Sequence, residues 1–150
     1  MNPILGHDES NCAMEISTTK VPSPEQVIAL YNSVGWSAYT DHPDVLATAL
    51  KNSDFLVYAY DKEHQLIGLA RAISDDATIC YVQDILVHPE AQRSGAGREL
   101  FTAVQDRYKH LRQFVLITDD EPGQRAFYES MGLTEGADFK SGPIRVFARF

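Results

Sequence analysis

A glycine-rich turn, "QRSGAGR" at residues 92–98, stands between a strand-like run and a helical pattern. Gly95 and Gly97 carry no side chains, so a ligand can approach the main chain closely. The first backbone N–H groups of a helix lack an internal partner and carry the positive end of the helix dipole. Arg93 and Arg98 add positive charge to an otherwise acidic chain. The turn favours an anion site suited to a pyrophosphate, although a plain tight turn would also explain the glycines.

The composition fits one acidic globular domain and excludes several classes of function. The chain has 150 residues, of which 44% are hydrophobic. Its net charge of −8 argues against non-specific nucleic-acid binding, because that binding needs a basic surface. It holds neither a long apolar run nor a signal-like start, so we expect no membrane segment and a cytoplasmic location. Cys12, Cys80 and the scattered histidines form no ligand pattern, so no metal site is expected.

Hydrophobic periodicity predicts the elements that must hold the turn in place. Residues 1–13 lack periodicity and are expected to be a flexible tail, whereas residues 14–150 are expected to form one domain. The predicted strands are residues 14–19, 54–61, 65–74, 78–87, 114–118 and 144–150. The predicted helices begin at Ser23–Pro24, near Pro43 and after the glycine turn, and a fourth covers residues 121–132. This order predicts an α/β fold, a mixed sheet with helices on both faces.

Local signals sharpen this pattern. Ser23 and Gln26 are spaced for a capping box at the first helix, and residues 62–64 read as a hairpin turn. Residues 114–118 are almost wholly apolar, which predicts a strand buried on both faces. Gly132 is expected to end the last helix.

The turn also matches the Q/R-x-x-G-x-G/A loop of the GNAT superfamily of acetyl-CoA-dependent N-acetyltransferases, which this chain resembles over residues 14–150. "ILVHPEAQ" resembles the fourth strand of that family running into the loop. "RAFYESMGL" resembles its later helix, normally A-F-Y-x-x-x-G-F, with leucine here in place of the final phenylalanine. More loosely, "GWSAYT" and "VQDILVHP" resemble a small bacterial branch and the plant enzymes described as serotonin acetyltransferases.

The resemblance implies acetyl-CoA as acyl donor and a largely antiparallel sheet whose fourth and fifth strands splay apart around the pantetheine arm. A strand N–H would then polarise the thioester carbonyl, as in an oxyanion hole. The implied donor-binding residues are Ile85, Leu86, Val87, Gln92, Arg93, Ser94, Gly95, Ala96, Gly97, Arg98 and Tyr128.

Tyr128 matches the family tyrosine that protonates the departing sulfur. A phenol of pKa about 10 can donate to a thiolate whose conjugate acid has a pKa of about 8.5. The alternative for Tyr128 is a core aromatic residue beside Phe127.

Asp84 is the first candidate to take the proton of the attacking amine. Strand alternation places it on one face with the apolar Val82 and Leu86, so its pKa is expected to be raised if it is buried. The resemblance adds that several small-amine members carry an acidic residue at this place. The alternative is a structural carboxylate bound by backbone groups or by Arg71.

Further candidates concern the acceptor. Trp36 and Tyr39 lie in the break between the first two helices. In this superfamily that segment often lines the acceptor pocket, although simple packing would also explain the two aromatic residues. An aromatic wall suits an aryl or cationic amine. Asp119 and Asp120 are expected to share two roles, one capping the last helix and the other, assigned to Asp119, facing the amine.

The resulting hypothesis is direct transfer of an acetyl group from acetyl-CoA to a primary amine of a small molecule, in a ternary complex. A cysteine acyl-enzyme at Cys80 is the runner-up chemistry. The alternative functions are a non-catalytic acetyl-CoA sensor or complex subunit, and a lysine or N-terminal acetyltransferase of proteins. A homodimer formed through residues 144–150 is expected by analogy.

Overall fold

The structure, a computed structural model, describes residues 14–150; the expected tail over residues 1–13, with Cys12, lies outside the described residues. The chain divides into two compact units, one ending at Leu116 and the other covering Ile117–Phe150.

The first unit contains a five-stranded sheet in the order β1-β2-β3-β4-β5. Neighbouring strands are antiparallel except β4 and β5, which are parallel. The elements are β1 Glu15–Ser17, α1 Pro24–Ser33, α2 Ser37–Thr40, α3 Pro43–Lys51, β2 Phe55–Tyr60, β3 Leu66–Ser74, β4 Ile79–Val87, α4 Ala96–Arg107 and β5 Gln113–Leu116. The mixed sheet is confirmed. The short α2, within the break between the first two predicted helices, and a 3-10 turn at Pro89–Ala91 before α4 are additions.

The start of α1 confirms the predicted capping box. The Ser23 hydroxyl oxygen accepts the Gln26 N–H at 3.2 Å, and the Ser23 N–H donates to Gln26 Oε1 at 2.9 Å. Pro24 occupies the first helical position, where its missing N–H has no consequence.

The two faces of the sheet are covered by different helices. One face meets α1 and α3 in a core of Val27, Leu30, Tyr31, Leu46, Tyr58, Tyr60, Leu66, Leu69 and Leu86. The other face meets α4, whose Leu100 is fully buried. This helix lies so close to β3 that a Cβ added to Gly68 would stand 2.8 Å from Leu100 Cδ1 and 3.2 Å from the Leu86 carbonyl oxygen. The missing side chain of Gly68 therefore sets how closely α4 approaches.

A bulge divides β4 into two parts. Arg71 of β3 lies opposite Asp84, but the next residue, Ala72, lies opposite Val82, so Gln83 is an extra residue without a partner in β3. The pairing of β4 with β5 also ends at Val82. Beyond the bulge, β3 is the only strand within residues 14–150 that pairs with β4. Bulges bend a strand and increase its twist, which accounts for this separation.

In the second unit, α5 covers Pro122–Ser130 and Met131 is its C-cap. Gly132, which was predicted to stop the helix, follows directly with a φ of 91°. The Leu133 N–H donates to the Tyr128 carbonyl and the Gly132 N–H to the Glu129 carbonyl, both at 3.0 Å. This pair of hydrogen bonds satisfies carbonyl groups at the helix end.

Two strand predictions need correction: the fifth strand is present but less buried than expected, and the last predicted strand is not formed. Residues 114–118 were expected to be buried on both faces, but β5 alternates exposed and partly buried residues, and Val115 is 38% exposed. β5 is the last strand of the sheet and pairs only with β4 among the residues described. Residues 144–150 form no strand, because the alternating apolar pattern has no paired strand beside it in residues 14–150. The homodimer inferred from that segment stays a prediction.

We expect Gly68→Ala to lower the free energy of unfolding by about 1–3 kcal/mol, because the new methyl group overpacks the contact with Leu100. Urea denaturation measures the change. Gly123→Ala is the control, since a Cβ there meets no atom within 4 Å and alanine favours a helix. An unchanged denaturation midpoint for Gly68→Ala would show that α4 is not held at this distance by the glycine.

Candidate functional site

The glycine-rich turn is an exposed loop that leads into the twelve-residue helix α4. Gly95 is its N-cap with a φ of 91°, and Arg93 also has a positive φ, of 67°. The first helical hydrogen bond runs from the Glu99 N–H to the Gly95 carbonyl at 3.0 Å. Helix geometry leaves earlier N–H groups such as that of Gly97 without an internal acceptor. The loop therefore offers N–H groups and the positive end of a helix dipole to an anion.

Ser94 organises this loop. Its hydroxyl donates to the Ala91 carbonyl and accepts the Ala96 N–H at 3.3 Å. This hydroxyl stabilises the backbone that carries the N–H groups, and contact of Ser94 with the anion stays a prediction.

The part of β4 beyond the bulge has one open edge, here defined as the edge of residues 83–87 that faces away from β3. The His88 N–H donates to the Ile67 carbonyl of β3 at 2.8 Å. Because backbone groups alternate along an antiparallel strand, the Leu86 N–H also faces β3 and those of Ile85 and Val87 face the open edge. Of the three predicted strand donors, Ile85 and Val87 thus present their N–H groups outward. A 3-10 turn at Pro89–Ala91 joins the end of this open edge to the anion loop.

A buried ion pair lies beside the bulge. The Arg71 Nε donates to Asp84 Oδ2 at 2.8 Å, and the two side chains are 6% and 3% exposed. The Tyr31 hydroxyl donates to Oδ2 and the Tyr39 hydroxyl to Oδ1, each at 2.9 Å. The alternative in which Arg71 binds Asp84 is therefore seen in the structure. The bulge at Gln83 also interrupts the alternation that had placed Asp84 on the face of Val82.

Arg71 connects this pair to its surroundings. Its Nη1 donates to Ser53 Oγ at 3.3 Å and its Nη2 to the Tyr39 hydroxyl oxygen at 3.2 Å. Burial alone would lower the pKa of Arg71, but the charge and hydrogen bond of Asp84, together with those of Tyr39, outweigh it and the pKa is raised. The guanidinium is therefore held in its charged form. From the sequence, Arg71 was predicted only as an alternative partner of Asp84, and no sequence pattern pointed to Ser53.

Three aromatic side chains cover the ion pair. Tyr31 lies 5.8 Å from Trp36 and 5.1 Å from Tyr39 between ring centroids, and Trp36 lies 6.2 Å from Tyr39. Tyr31 is fully buried, whereas Trp36 and Tyr39 are half-buried. Burial raises the pKa of Tyr39, and burial followed by the charge of Asp84 raises that of Tyr31. Both phenols therefore stay protonated near neutral pH and can donate to Asp84.

Tyr128 lies on α5 in the second unit and is 8% exposed. Its ring contacts Phe127 edge to face, with centroids 5.1 Å apart. Burial raises the pKa of Tyr128 to about 12. The phenol thus keeps its proton throughout the neutral range.

Asp119 and Asp120 are exposed, and neither caps α5. The N-cap is Glu121, which makes no capping hydrogen bond with its side chain. The Asp119 backbone carbonyl accepts the Glu121 N–H at 2.9 Å. A side chain caps a helix from the position just before the first helical residue. Because α5 begins at Pro122, that position is Glu121, and the prediction that Asp119 or Asp120 caps the helix is wrong.

Comparisons with known proteins identify the family. The model of the "Acetyltransferase (GNAT) domain" matches residues 18–140. The "Uncharacterized N-acetyltransferase ycf52" of Porphyra purpurea is 30% identical over 134 residues, 85% of this chain and 74% of that protein. The chain belongs to the GNAT family of acetyltransferases.

Solved structures agree with this assignment. The GNAT family protein SP0256 from Streptococcus pneumoniae TIGR4 is similar with a TM-score of 0.75 and 28% identity, over 91% of this chain and 99% of that one. AAC(6')-Iy, solved with the bisubstrate analogue CoA-S-monomethyl-acetylneamine, shares the fold with a TM-score of 0.67 and 19% identity. That match covers 91% of this chain and 97% of the other.

Residues 14–150 contain neither a membrane-spanning helix nor a grouping of metal ligands. No helix there has the length and apolar character needed to cross a bilayer. No group of three or more histidine, cysteine, aspartate or glutamate side chains in that part of the chain is arranged to hold a metal ion.

Cys80 is fully buried in β4, and burial raises the pKa of its thiol to about 11. A nucleophilic cysteine needs an accessible thiolate. We therefore expect Cys80→Ala to keep kcat within about twofold of the wild-type value in an assay of CoA-thiol release, since direct transfer needs no thiol. Loss of turnover in a folded Cys80→Ala protein, checked by its unchanged Tm, would support an acyl-enzyme instead.

Proposed function

We propose that this protein transfers the acetyl group of acetyl-CoA to a primary amine of a small molecule, by direct transfer in a ternary complex. The observation that carries this proposal is the open edge of β4, which runs into the anion loop at the start of α4. Backbone donors and a helix N-terminus thus follow one another along the chain, as an extended arm joined to a pyrophosphate requires.

Acetyl-CoA supplies an acetyl group activated as a thioester. The outward N–H groups of Ile85 and Val87 would hold the pantetheine arm, and one of them would donate to the thioester carbonyl. The loop from Gln92 to Arg98 would hold the pyrophosphate through its backbone and the charge of Arg93. Leu86 contributes side-chain packing, since it is buried in the core beneath α1.

The acceptor side of the proposed site is the aromatic cluster above the Arg71–Asp84 pair. Trp36 and Tyr39 are half-buried and give an amine an aromatic wall. Asp84 is the carboxylate beneath that wall, and the proton of the amine moves toward it. Asp119 is exposed in the second unit, and its contact with the amine stays a prediction from the sequence.

Tyr128 is the proposed acid for the departing thiolate, on the strength of its place in the family motif. Its pKa of about 12 keeps the proton available at every pH at which the enzyme would be assayed. The role of Tyr128 would be lost only as the pH rises through about 12, because the ionised phenol has no proton to donate.

We expect Tyr128→Phe to lower kcat about 100-fold, because general acid catalysis contributes a factor of this order. The assay follows CoA-thiol release with arylalkylamines, polyamines, amino sugars and a lysine peptide. The ratio of wild-type to variant kcat should stay constant between pH 6 and pH 10, since the pKa of Tyr128 lies above this range.

Tyr108→Phe is the matched control, because Tyr108 is also buried and its hydroxyl has no hydrogen-bond partner among residues 14–150. Equal kcat for Tyr128→Phe and wild type would remove Tyr128 from the chemistry. Release with the lysine peptide alone would favour the protein acetyltransferase. Acetyl-CoA binding without release by any amine would favour the sensor.

A further inference from the structure

Asp84 has no direct route to an amine. Its side chain is 3% exposed, and three donors occupy its two oxygens. Two of these donors, Arg71 and Tyr31, are themselves buried. Tyr39 is the partner of Asp84 that is half-buried, and its hydroxyl also accepts a hydrogen bond from the exposed Gln83, so it lies between the carboxylate and an exposed side chain.

The hydrogen bonds of Tyr39 also fix which way its hydroxyl points. It donates its proton inward to Asp84 Oδ1 at 2.9 Å. The lone pairs of its oxygen therefore accept from other donors, from the buried Arg71 Nη2 at 3.2 Å and from Gln83 Nε2 at 3.4 Å. The bond from Gln83 is the longest, and this side chain is exposed. An N–H group of a substrate amine can replace it, whereas a substrate group that only accepts hydrogen bonds cannot.

Resting on the proposed function, we propose that Tyr39 is the catalytic residue that contacts the acceptor amine and relays its proton to Asp84. One N–H bond of the acceptor's ammonium group breaks first, and its electron pair stays on nitrogen, which then attacks the acetyl carbon. The released proton joins the Tyr39 oxygen while the Tyr39 proton passes to Asp84 Oδ1. Tyr39 ends unchanged, and Asp84 carries the proton. The second proton that the nitrogen loses balances the one that Tyr128 gives to the departing thiolate.

Arg71 is the positioning residue of this relay. Its Nε keeps Asp84 Oδ2 occupied at 2.8 Å, so Oδ1 is the oxygen left to take the proton. Its Nη2 holds the Tyr39 oxygen, and Ser53 holds its Nη1. A buried guanidinium favours an ionised partner, so the proton returns through Tyr39 to solvent after each turnover.

The test compares Tyr39→Phe with Tyr31→Phe. Each change removes one donor from Asp84 and keeps the ring, but only Tyr39 lies on the path to solvent. The titratable and charged groups that face the Tyr39 hydroxyl are Asp84 from β4, Arg71 from β3 and Tyr31 from α1. Initial rates of CoA-thiol release give kcat and KM at pH 7 and pH 9.5, and titration gives the Kd for acetyl-CoA.

We expect Tyr39→Phe to lower kcat about 100-fold at pH 7 with an unchanged Kd for acetyl-CoA. The loss should shrink at pH 9.5, because more of an alkylamine with a pKa of about 10.4 is then already deprotonated. Tyr31→Phe should give a smaller loss that is the same at both values of pH.

Each other result overturns the relay. Wild-type kcat in Tyr39→Phe, an equal loss at both values of pH, or an equal loss in Tyr31→Phe would reduce Tyr39 to a structural residue while the proposed function stands. If the wild-type protein released no CoA thiol with any amine of the panel, the proposed function and the relay would be refuted together. Comparison of Tm for both variants separates loss of folding from loss of the relay.

Discussion

One extra residue in β4 determines the geometry of both halves of the proposed site. Before Gln83, β4 pairs with β5, and after it β4 pairs only with β3 within residues 14–150. The same irregularity turns Asp84 toward Arg71 and exposes the backbone edge that runs to α4. A ladder between β4 and β5 that continued past Val82 would pair the outward N–H groups of Ile85 and Val87 and leave neither for a ligand. The bulge thus lies between an open backbone edge and a buried polar cluster, the two places to which the proposed function assigns the acyl donor and the amine.

The buried pair of Arg71 and Asp84 is stable because each charged group has the opposite charge beside it and hydrogen-bond partners for its polar atoms. Two unpaired buried charges would each be unfavourable by several kcal/mol, but here the guanidinium, two phenols and the carboxylate satisfy one another. The ion pair has no net charge, so it adds no net charge attraction for an ammonium group to that of the aromatic rings. What the cluster offers is a hydroxyl of fixed direction at Tyr39. Recognition of an amine by such a site depends on hydrogen-bond direction and aromatic contact more than on charge.

The sequence predicted most of the fold because its signals are local. The capping box at Ser23, the glycine turn and the stop at Gly132 each depend on neighbouring residues, and each lies where it was predicted. The bulge at Gln83 could not be predicted, because it depends on how β3 and β4 align rather than on the residue itself. The strand expected over residues 144–150 failed for a related reason, since an alternating pattern does not supply a neighbouring strand. Tyr31 stands at helical spacing with Val27 and Leu30, a pattern typical of a core helix residue. Only the folded structure shows that its hydroxyl binds Asp84.

The central claim is that the open edge of β4 binds the acyl donor through its backbone. Residue-resolved amide hydrogen exchange, measured by NMR with and without acetyl-CoA, tests it most directly. Without acetyl-CoA, the Leu86 amide should exchange slowly because it faces β3, and the Ile85 and Val87 amides should exchange faster. Acetyl-CoA should slow exchange at Ile85 and Val87. Unchanged exchange at both amides, at a concentration of acetyl-CoA that saturates the protein, would contradict the claim.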